Sequence, residues 1–408
     1  MFNGRLVSQV LRLEGKTNDM AKKRNPILAS KLVVGAAVHF YGKRYLRKQV
    51  RLIDDGSLRR IKPPYVLVAN HCGFLDVAGV MTLMYPNLSN YVISVTQLVQ
   101  WPSLIKRMGV LPKKQFTVDT SLVRDIKYVL SKNRSVVIYP EAKLSVVGTP
   151  NIIKPAVAKL IKMLKVPLVT VCFHGDYLHK PRWAKSKRFL PVTAEVKVAV
   201  SAEEVGEITA QEIHRRIVEN LSFDDYAYQL ENGIEIDVPD LVEGLENILY
   251  KCPSCGEEFA MTAHGNVLTC SKCGEQVCQN KLGQLEGGRF DKVVDWYAWQ
   301  AQCVHDEVAQ EDYRFEGFFR AEQLVGKKYV DMGDAKIVHD KTGITATFAG
   351  KEIHYKAGAF YTLSFNNDYV FLPTEDAVLR FKRQSNVGCT TKLNLAVEEQ
   401  TKILEENR

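Results

Sequence analysis

His71 and Asp76 stand five residues apart in Asn-His-Cys-Gly-Phe-Leu-Asp, residues 70–76. A neutral imidazole held by a carboxylate at one ring nitrogen presents the other as a base, which can take a proton from a hydroxyl attacking an activated acyl group. No serine or cysteine nucleophile is required. In a chain with nine histidines the spacing alone is weak, because an aspartate there can equally cap a helix beside an incidental histidine.

The second chemical constellation is Cys252-Pro-Ser-Cys255-Gly followed by Cys270-Ser-Lys-Cys273-Gly, with fourteen residues between Cys255 and Cys270. In each CxxCG knuckle the glycine lets the backbone turn tightly around a thiolate-bound metal. Two knuckles supply four thiolates to one tetrahedral Zn²⁺, the alternative being redox pairs. With all four positions taken by sulfur no site is left for an activated water, so the zinc is expected to be structural. Cys278 is surplus, and Cys303 and Cys389 read as buried thiols.

These residues need elements to hold them. Tyr65, Val66, Leu67 and Val68 form an apolar run of strand type, and the phase turns helical through Phe74, Leu75, Val77 and Val80. His71 therefore lies where a strand becomes a helix, the end of the strand at which open α/β sheets place their sites. The alternation continues with helix 74–85, strand 91–96, a short helix 101–108, helix 120–131 capped by Asp119, strand 134–139, helix 154–165, strand 167–173, strand 192–200 and helix 208–221. Such alternation predicts an α/β fold with a mixed, largely parallel sheet flanked by helices. The acidic segment 223–241 then leads to a boundary near residue 245.

Beyond the zinc ribbon, residues 289–310 read as an amphipathic helix carrying Val293, Val294, Trp296 and Trp299. Short strands are expected at 343–348, 353–356, 360–365, 369–372 and 378–382, with a final helix at 393–404. A small antiparallel barrel or sandwich closed by that helix is similar in outline to pleckstrin-homology-like barrels. Outline is not function, and a scaffold or oligomerisation domain fits as well as a lipid- or protein-sensing one. The expected layout is 1–62 basic membrane-contact helices, 63–245 the α/β domain, 246–283 the zinc ribbon and 284–408 the helix with the β domain.

Asn-His-Cys-Gly-Phe-Leu-Asp resembles the NHxxxxD signature of the PlsC-type glycerolipid acyltransferases, typified by the bacterial 1-acylglycerol-3-phosphate (lysophospholipid) acyltransferases. Gly109-Val110-Leu111-Pro112-Lys113-Lys114 is similar to the family's second block, Tyr139-Pro140-Glu141-Ala142-Lys143-Leu144-Ser145 to its third and Val166-Pro167-Leu168-Val169 to its fourth. Four ordered blocks over about a hundred residues are far more specific than one.

The resemblance implies His71 as the base and Asp76 as its orienter. Glu141 and Lys143, with Gly109, Lys113 and Lys114, would hold the acceptor, and Pro167 would help shape the acyl channel. Asn70 and backbone N–H groups at the following helix would steady the oxyanion. It implies acyl-CoA or acyl-carrier protein as donor and a lysophospholipid, first of all 1-acylglycerol-3-phosphate, as acceptor. One departure matters: where the family commonly reads Pro-Glu-Gly-Thr-Arg-Ser, this chain has Ala142, Lys143 and Leu144, so the planar guanidinium expected for a phosphate is absent and Lys143 offers only a point charge. The cation of the second block likewise falls near Gln115.

Charge and hydropathy supply the setting. The net charge is +9, and residues 1–62 hold fifteen Lys/Arg against four Asp/Glu, which fits an anionic partner. The apolar run Leu32–Tyr41, flanked by Lys31 and by Lys43, Arg44, Arg47 and Lys48, is too short to span a bilayer but suits a monotopic helix on an anionic leaflet, an ordinary core helix being the alternative. Without a secretory leader, the nine cysteines place the chain in a reducing compartment, at the cytoplasmic face of the cell membrane.

The segment His179–Arg188 gathers five cations around Trp183, which suits a lipid headgroup or a carrier's phosphates, or simply a solvated loop. His174, His179 and His214 lack a partner pattern and read as structural or surface residues. GxSxG, P-loop and dinucleotide fingerprints are absent, against hydrolase and dehydrogenase chemistry. Residues 249–283 mix acids and bases evenly, so no nucleic-acid partner is expected. The rival readings are a non-catalytic membrane adaptor built on an acyltransferase fold and an acyltransferase for a different lysolipid acceptor, each with the altered third block in its favour.

Overall fold

In the computed structural model the described residues are 25–40, 42, 50–54, 56, 61–98, 106–113, 119–326, 328–374, 377–384 and 386–407. Residues 101–105 of the expected short helix, Lys114, Gln115 and the cations at 43, 44, 47 and 48 lie outside them.

The first sheet comprises β1 (Val50–Asp54), β2 (Val66–Ala69), β3 (Ser89–Ser94), β4 (Val110–Lys113), β5 (Ser135–Ile138), β6 (Leu168–His174) and β7 (Val192–Val200). Their order is β1-β7-β6-β2-β5-β3-β4, and every neighbouring pair is parallel except β6 with β7. β2 lies at the centre with all four residues buried, as a strand covered on both faces must be. Helices supply that cover with regularly spaced apolar stripes. In Thr120–Ser131 the buried residues are Leu122, Ile126, Val129 and Leu130, and Asp119 caps the helix by accepting from the Leu122 N–H at 3.0 Å.

The largely parallel sheet agrees with the alternation read from the sequence, but the amino-terminal boundary does not. β1 falls within residues 1–62, expected to be membrane-contact helices, and pairs in parallel with β7 across Val50↔Val192 to Asp54↔Val196. Its run Val-Arg-Leu-Ile-Asp alternates poorly, and only its place beside β7 makes it a strand. Upstream, the helix Lys31–Ala37 is described, and no described helix is long and apolar enough to cross a membrane.

The cysteine knuckles belong to a four-stranded sheet of β8 (Met261–His264), β9 (Val267–Cys270), β10 (Gln276–Gln279) and β11 (Leu285–Glu286). After the helix Val293–Ala309 the chain forms β12 (Arg314–Val325), β13 (Lys328–Asp340), β14 (Gly343–Phe348), β15 (Lys351–Lys356), β16 (Ser364–Phe365), β17 (Tyr369–Pro373) and β18 (Val378–Arg383), then the helix Cys389–Glu406. The sheet order is β15-β14-β13-β12-β18-β17-β16, wholly antiparallel. The expected antiparallel domain with its carboxyl-terminal helix is therefore present. Two corrections apply: the long β12–β13 hairpin is additional, and the strand expected at 360–365 shrinks to Ser364–Phe365.

The modules share one core. A single buried apolar cluster runs from Val66 and Trp183 in the α/β domain, through Leu249, Cys252 and Leu268 in the ribbon, to Trp296, Phe381 and Leu393 beyond it. Polar contacts cross the same seams: Trp296 Nε1 donates to the Lys251 carbonyl at 2.9 Å, and Thr391 Oγ1 to the Asn247 carbonyl at 2.6 Å.

Candidate active site

β2 and β5 lie side by side in parallel register, Val68 opposite Ile138, so the loops leaving their carboxyl ends are neighbours. One carries His71 and the other Glu141. His71 is clamped there through its backbone: its N–H donates to Glu141 Oε1 at 2.9 Å, and its carbonyl accepts from the Ser145 N–H at 2.7 Å.

The imidazole meets its carboxylate. His71 Nδ1 lies 2.8 Å from Asp76 Oδ2, and the same oxygen accepts from the backbone N–H groups of Cys72 at 2.9 Å and Gly73 at 3.2 Å. Asp76 is fully buried at the start of the helix Phe74–Met84, whereas the His71 side chain keeps 19 % exposure. The capping and orienting readings of Asp76 are thus both true. Nδ1 carries the proton toward Asp76, which leaves Nε2 as the free base on the open side.

Burial alone would lower the His71 pKa, but the Asp76 charge and hydrogen bond, with Glu141, outweigh it and hold the imidazole above its ordinary 6.5, while Arg182 opposes. The ring also packs against Tyr139, centroids 4.6 Å apart.

Sequence reasoning missed Asp176. It is 2 % exposed, both its carboxylate oxygens lack a hydrogen-bond partner among the described residues, and Oδ2 lies 3.5 Å from where a Cβ on Gly73 would sit. Burial, then the neighbouring Asp76 and Asp225, push its carboxyl well above the usual carboxylate range. Its only sequence signal was the acid following Gly175 at the end of β6.

Other expected residues have different duties. Asn70 is fully buried and bridges to β6, donating from Nδ2 to the Phe173 carbonyl and accepting at Oδ1 from the Phe173 N–H, each at 2.8 Å. Its amide does not face an oxyanion, and the N–H groups of residues 71–73 are already engaged. Glu141 is a buried brace: beyond His71 it accepts at Oε2 from Asn151 N at 2.7 Å and Asn151 Nδ2 at 2.8 Å. It positions His71 and does not present a free oxygen to an acceptor.

Lys143 is buried and paired with Glu398 of the carboxyl-terminal helix. Gly109 occupies a left-handed turn, φ +86°, packed so closely on Ala29 that a Cβ would lie 2.8 Å from the alanine methyl. Lys113 ends the edge strand β4, three strand spacings from β2, roughly 14 Å. Pro167 opens β6, its carbonyl accepting from the Val66 N–H at 3.0 Å. His214 Nε2 meets the Ile153 carbonyl at 2.8 Å, a structural role as expected.

The third block keeps the backbone shape of a glycine it lacks. Ala142 sits at φ +61°, a left-handed conformation that disfavours a Cβ. The loop is closed by Ser145 Oγ, which donates to the Thr149 carbonyl at 2.7 Å and accepts from the Gly148 N–H at 3.0 Å.

The four knuckle cysteines converge as a centre of their own. Their sulfurs lie within 4.8 Å of one another, with Cys252 to Cys273 at 3.7 Å and Cys255 to Cys270 at 3.8 Å. The edge of a tetrahedron with Zn–S of about 2.3 Å is about 3.8 Å, so the cage fits zinc. Gly256 and Gly274, at φ +75° and +80°, each donate 2.9 Å hydrogen bonds to the carbonyls of Cys252 and Cys270, forming two matching knuckles.

Residues 37–174 match the family model described as Acyltransferase. Among solved structures the chain is similar to the crystal structure of the 1-acyl-sn-glycerophosphate (LPA) acyltransferase, PlsC, from Thermotoga maritima, at 18 % identity and TM-score 0.38, over 46 % of this chain and 77 % of that one. No curated protein matches.

Proposed function

We propose that the acyltransferase domain moves an acyl group from acyl-CoA or acyl-carrier protein to the free hydroxyl of a lysophospholipid, 1-acylglycerol-3-phosphate foremost, giving phosphatidate. The observation that carries this reading is the 2.8 Å His71 Nδ1–Asp76 Oδ2 contact on a ring that still reaches solvent. His71 Nε2 takes the acceptor's hydroxyl proton as the oxygen bonds to the thioester carbonyl carbon. The tetrahedral intermediate collapses, the C–S bond breaks, and the departing thiolate recovers the proton from the imidazolium. Asp76 stabilises the charged ring, and Glu141 fixes its backbone.

The amino-terminal region supports a peripheral position at the membrane, for which we propose the cytoplasmic face. Leu32 is 84 % exposed and Phe40 74 %, with Ile27 and Lys31 also exposed beside them. Exposed apolar side chains and a cation within one short segment suit the interface of an anionic leaflet.

The test is transfer of labelled acyl groups from acyl-CoA or acyl-carrier protein to a panel of lysolipids by the full chain. Transfer that survives undiminished in His71→Ala defeats the mechanism. No transfer to any lysolipid turns the reading toward the membrane adaptor.

A further inference from the structure

The basic segment 180–188 accounts for its cations unevenly. Arg188 is buried, stacks 4.9 Å above the Trp183 ring and donates to the Leu241 carbonyl at 2.7 Å. Lys180 closes its own loop on the Ala184 and Lys185 carbonyls, and Lys185 pairs with Glu243 at 2.8 Å. Lys187 is exposed. Arg182 is different: half-buried, it lies with its Cζ 4.9 Å above the Phe365 ring, and no acidic side chain or carbonyl pairs with its guanidinium among the described residues.

The place matters more than the residue. Phe365 comes from β16 of the carboxyl-terminal domain, and the same ring carries Lys143 of the third block, Nζ 5.7 Å away. Lys143 stands two residues after the Glu141 that braces His71, and its charge is answered by Glu398. The Tyr297 hydroxyl, buried and without a partner among the described residues, lies within electrostatic reach of both Arg182 and Glu398. One guanidinium therefore remains unanswered on the ring it shares with the third block's lysine, and its field is felt at His71. A half-buried guanidinium with no anion beside it offers a planar fork of donors, so such a group invites one.

We infer that Arg182, held on Phe365 of the carboxyl-terminal domain, binds the phosphomonoester of the acyl acceptor and selects acceptors with that headgroup. The planar fork absent from the third block is thus supplied from a different segment, and the β domain completes the headgroup site by presenting the ring on which the fork rests. This rests on the acyl-transfer reading for the identity of the ligand, but binding is measurable without turnover.

The experiment is calorimetric titration of the full chain with a short-chain, monomeric lysophosphatidate, with the matching lysophosphatidylcholine and with CoA. Arg182→Gln is expected to weaken lysophosphatidate binding about tenfold or more, Arg182→Lys to be intermediate, and the choline lipid to be little affected. Circular dichroism confirms that each variant is folded, and Phe365→Leu, which keeps an apolar residue but removes the π face, is expected to weaken the same ligand. Equal lysophosphatidate affinity in wild type and Arg182→Gln overturns the inference, as does a loss confined to CoA, which would assign the guanidinium to the donor. Arg182-dependent binding with no transfer sustains the headgroup site and removes the acyl-transfer reading. Transfer with an unchanged acceptor KM in Arg182→Gln does the reverse.

Discussion

Lys143 and Glu398, 255 positions apart in the chain, form an ion pair with side chains only 4 % and 13 % exposed, so the third block of the α/β domain is tied directly to the carboxyl-terminal helix. Removing one partner of such a pair strands a buried charge. Glu398→Gln is expected to lower stability by roughly 3 kcal/mol, and Lys143→Met combined with Glu398→Gln to recover much of it. Urea unfolding of the full chain measures this, and matching midpoints for Glu398→Gln and wild type would show that the pair is not coupled to the fold.

The catalytic pair makes a pH prediction with two opposite signs. His71 acts as a base only when neutral, so kcat/KM rises as pH climbs through its raised pKa and falls on the acid side, with the midpoint above 6.5. The stability contributed by the imidazolium–Asp76 pair runs the other way: it is fully present below the unfolded pKa near 6.5 and lost as pH rises through the folded value. Asp76→Asn is expected to move the acid limb downward and cut kcat by about a hundredfold, while His71→Ala removes about two to four orders of magnitude. An acid limb that stays in place in Asp76→Asn would disconnect Asp76 from the base.

Ala142 at φ +61° stores a conformational penalty that glycine does not bear. Ala142→Gly is expected to stabilise the chain by about 1 kcal/mol with transfer unchanged, because the loop geometry around His71 is already the one glycine would adopt. A lower denaturation midpoint in this variant would count against the loop conformation described for residues 139–145.

Zinc should be present at one ion per chain, held by Cys252, Cys255, Cys270 and Cys273. Elemental analysis of purified protein checks the ratio. Cys255→Ser is expected to lose the metal and to destabilise the ribbon. Full zinc retention in that variant would mean that the ion sits elsewhere.

Leu32, 84 % exposed, contributes almost nothing to the core, so Leu32→Glu should leave folding intact. Binding to vesicles containing anionic phospholipid is expected to fall about tenfold and to weaken with salt. Unaltered co-sedimentation would move the membrane contact to another face.

The legible parts of the chain were those whose neighbours in sequence are also their partners in space. Residues 65–80 announced a strand, a switch and a helix, and Asp76 reaches back to His71 within one turn, so the dyad could be read from its spacing together with that strand-to-helix context. The cysteine knuckles are local in the same way. Glu141, Asn70 and Lys143 were recognisable as motif members, but their duties depend on Asn151, Phe173 and Glu398, partners that no local pattern supplies. β1 was missed because an exposed Val-Arg-Leu-Ile-Asp becomes a strand only beside β7. The β12–β13 hairpin alternates clearly over Phe315, Phe319 and Ala321, but the outward Phe318 and the register shift at Ala321/Glu322 blur the period along its length.

Because Val66, Cys252, Trp296 and Phe381 all belong to one uninterrupted apolar interior, the boundaries at 245 and 283 divide motifs but not material. A polypeptide ending at either boundary would expose what its missing neighbour wraps. Heat should therefore dismantle α/β domain, ribbon and β domain in a single calorimetric peak, and an injury to the metal cage would be felt at the imidazole of His71.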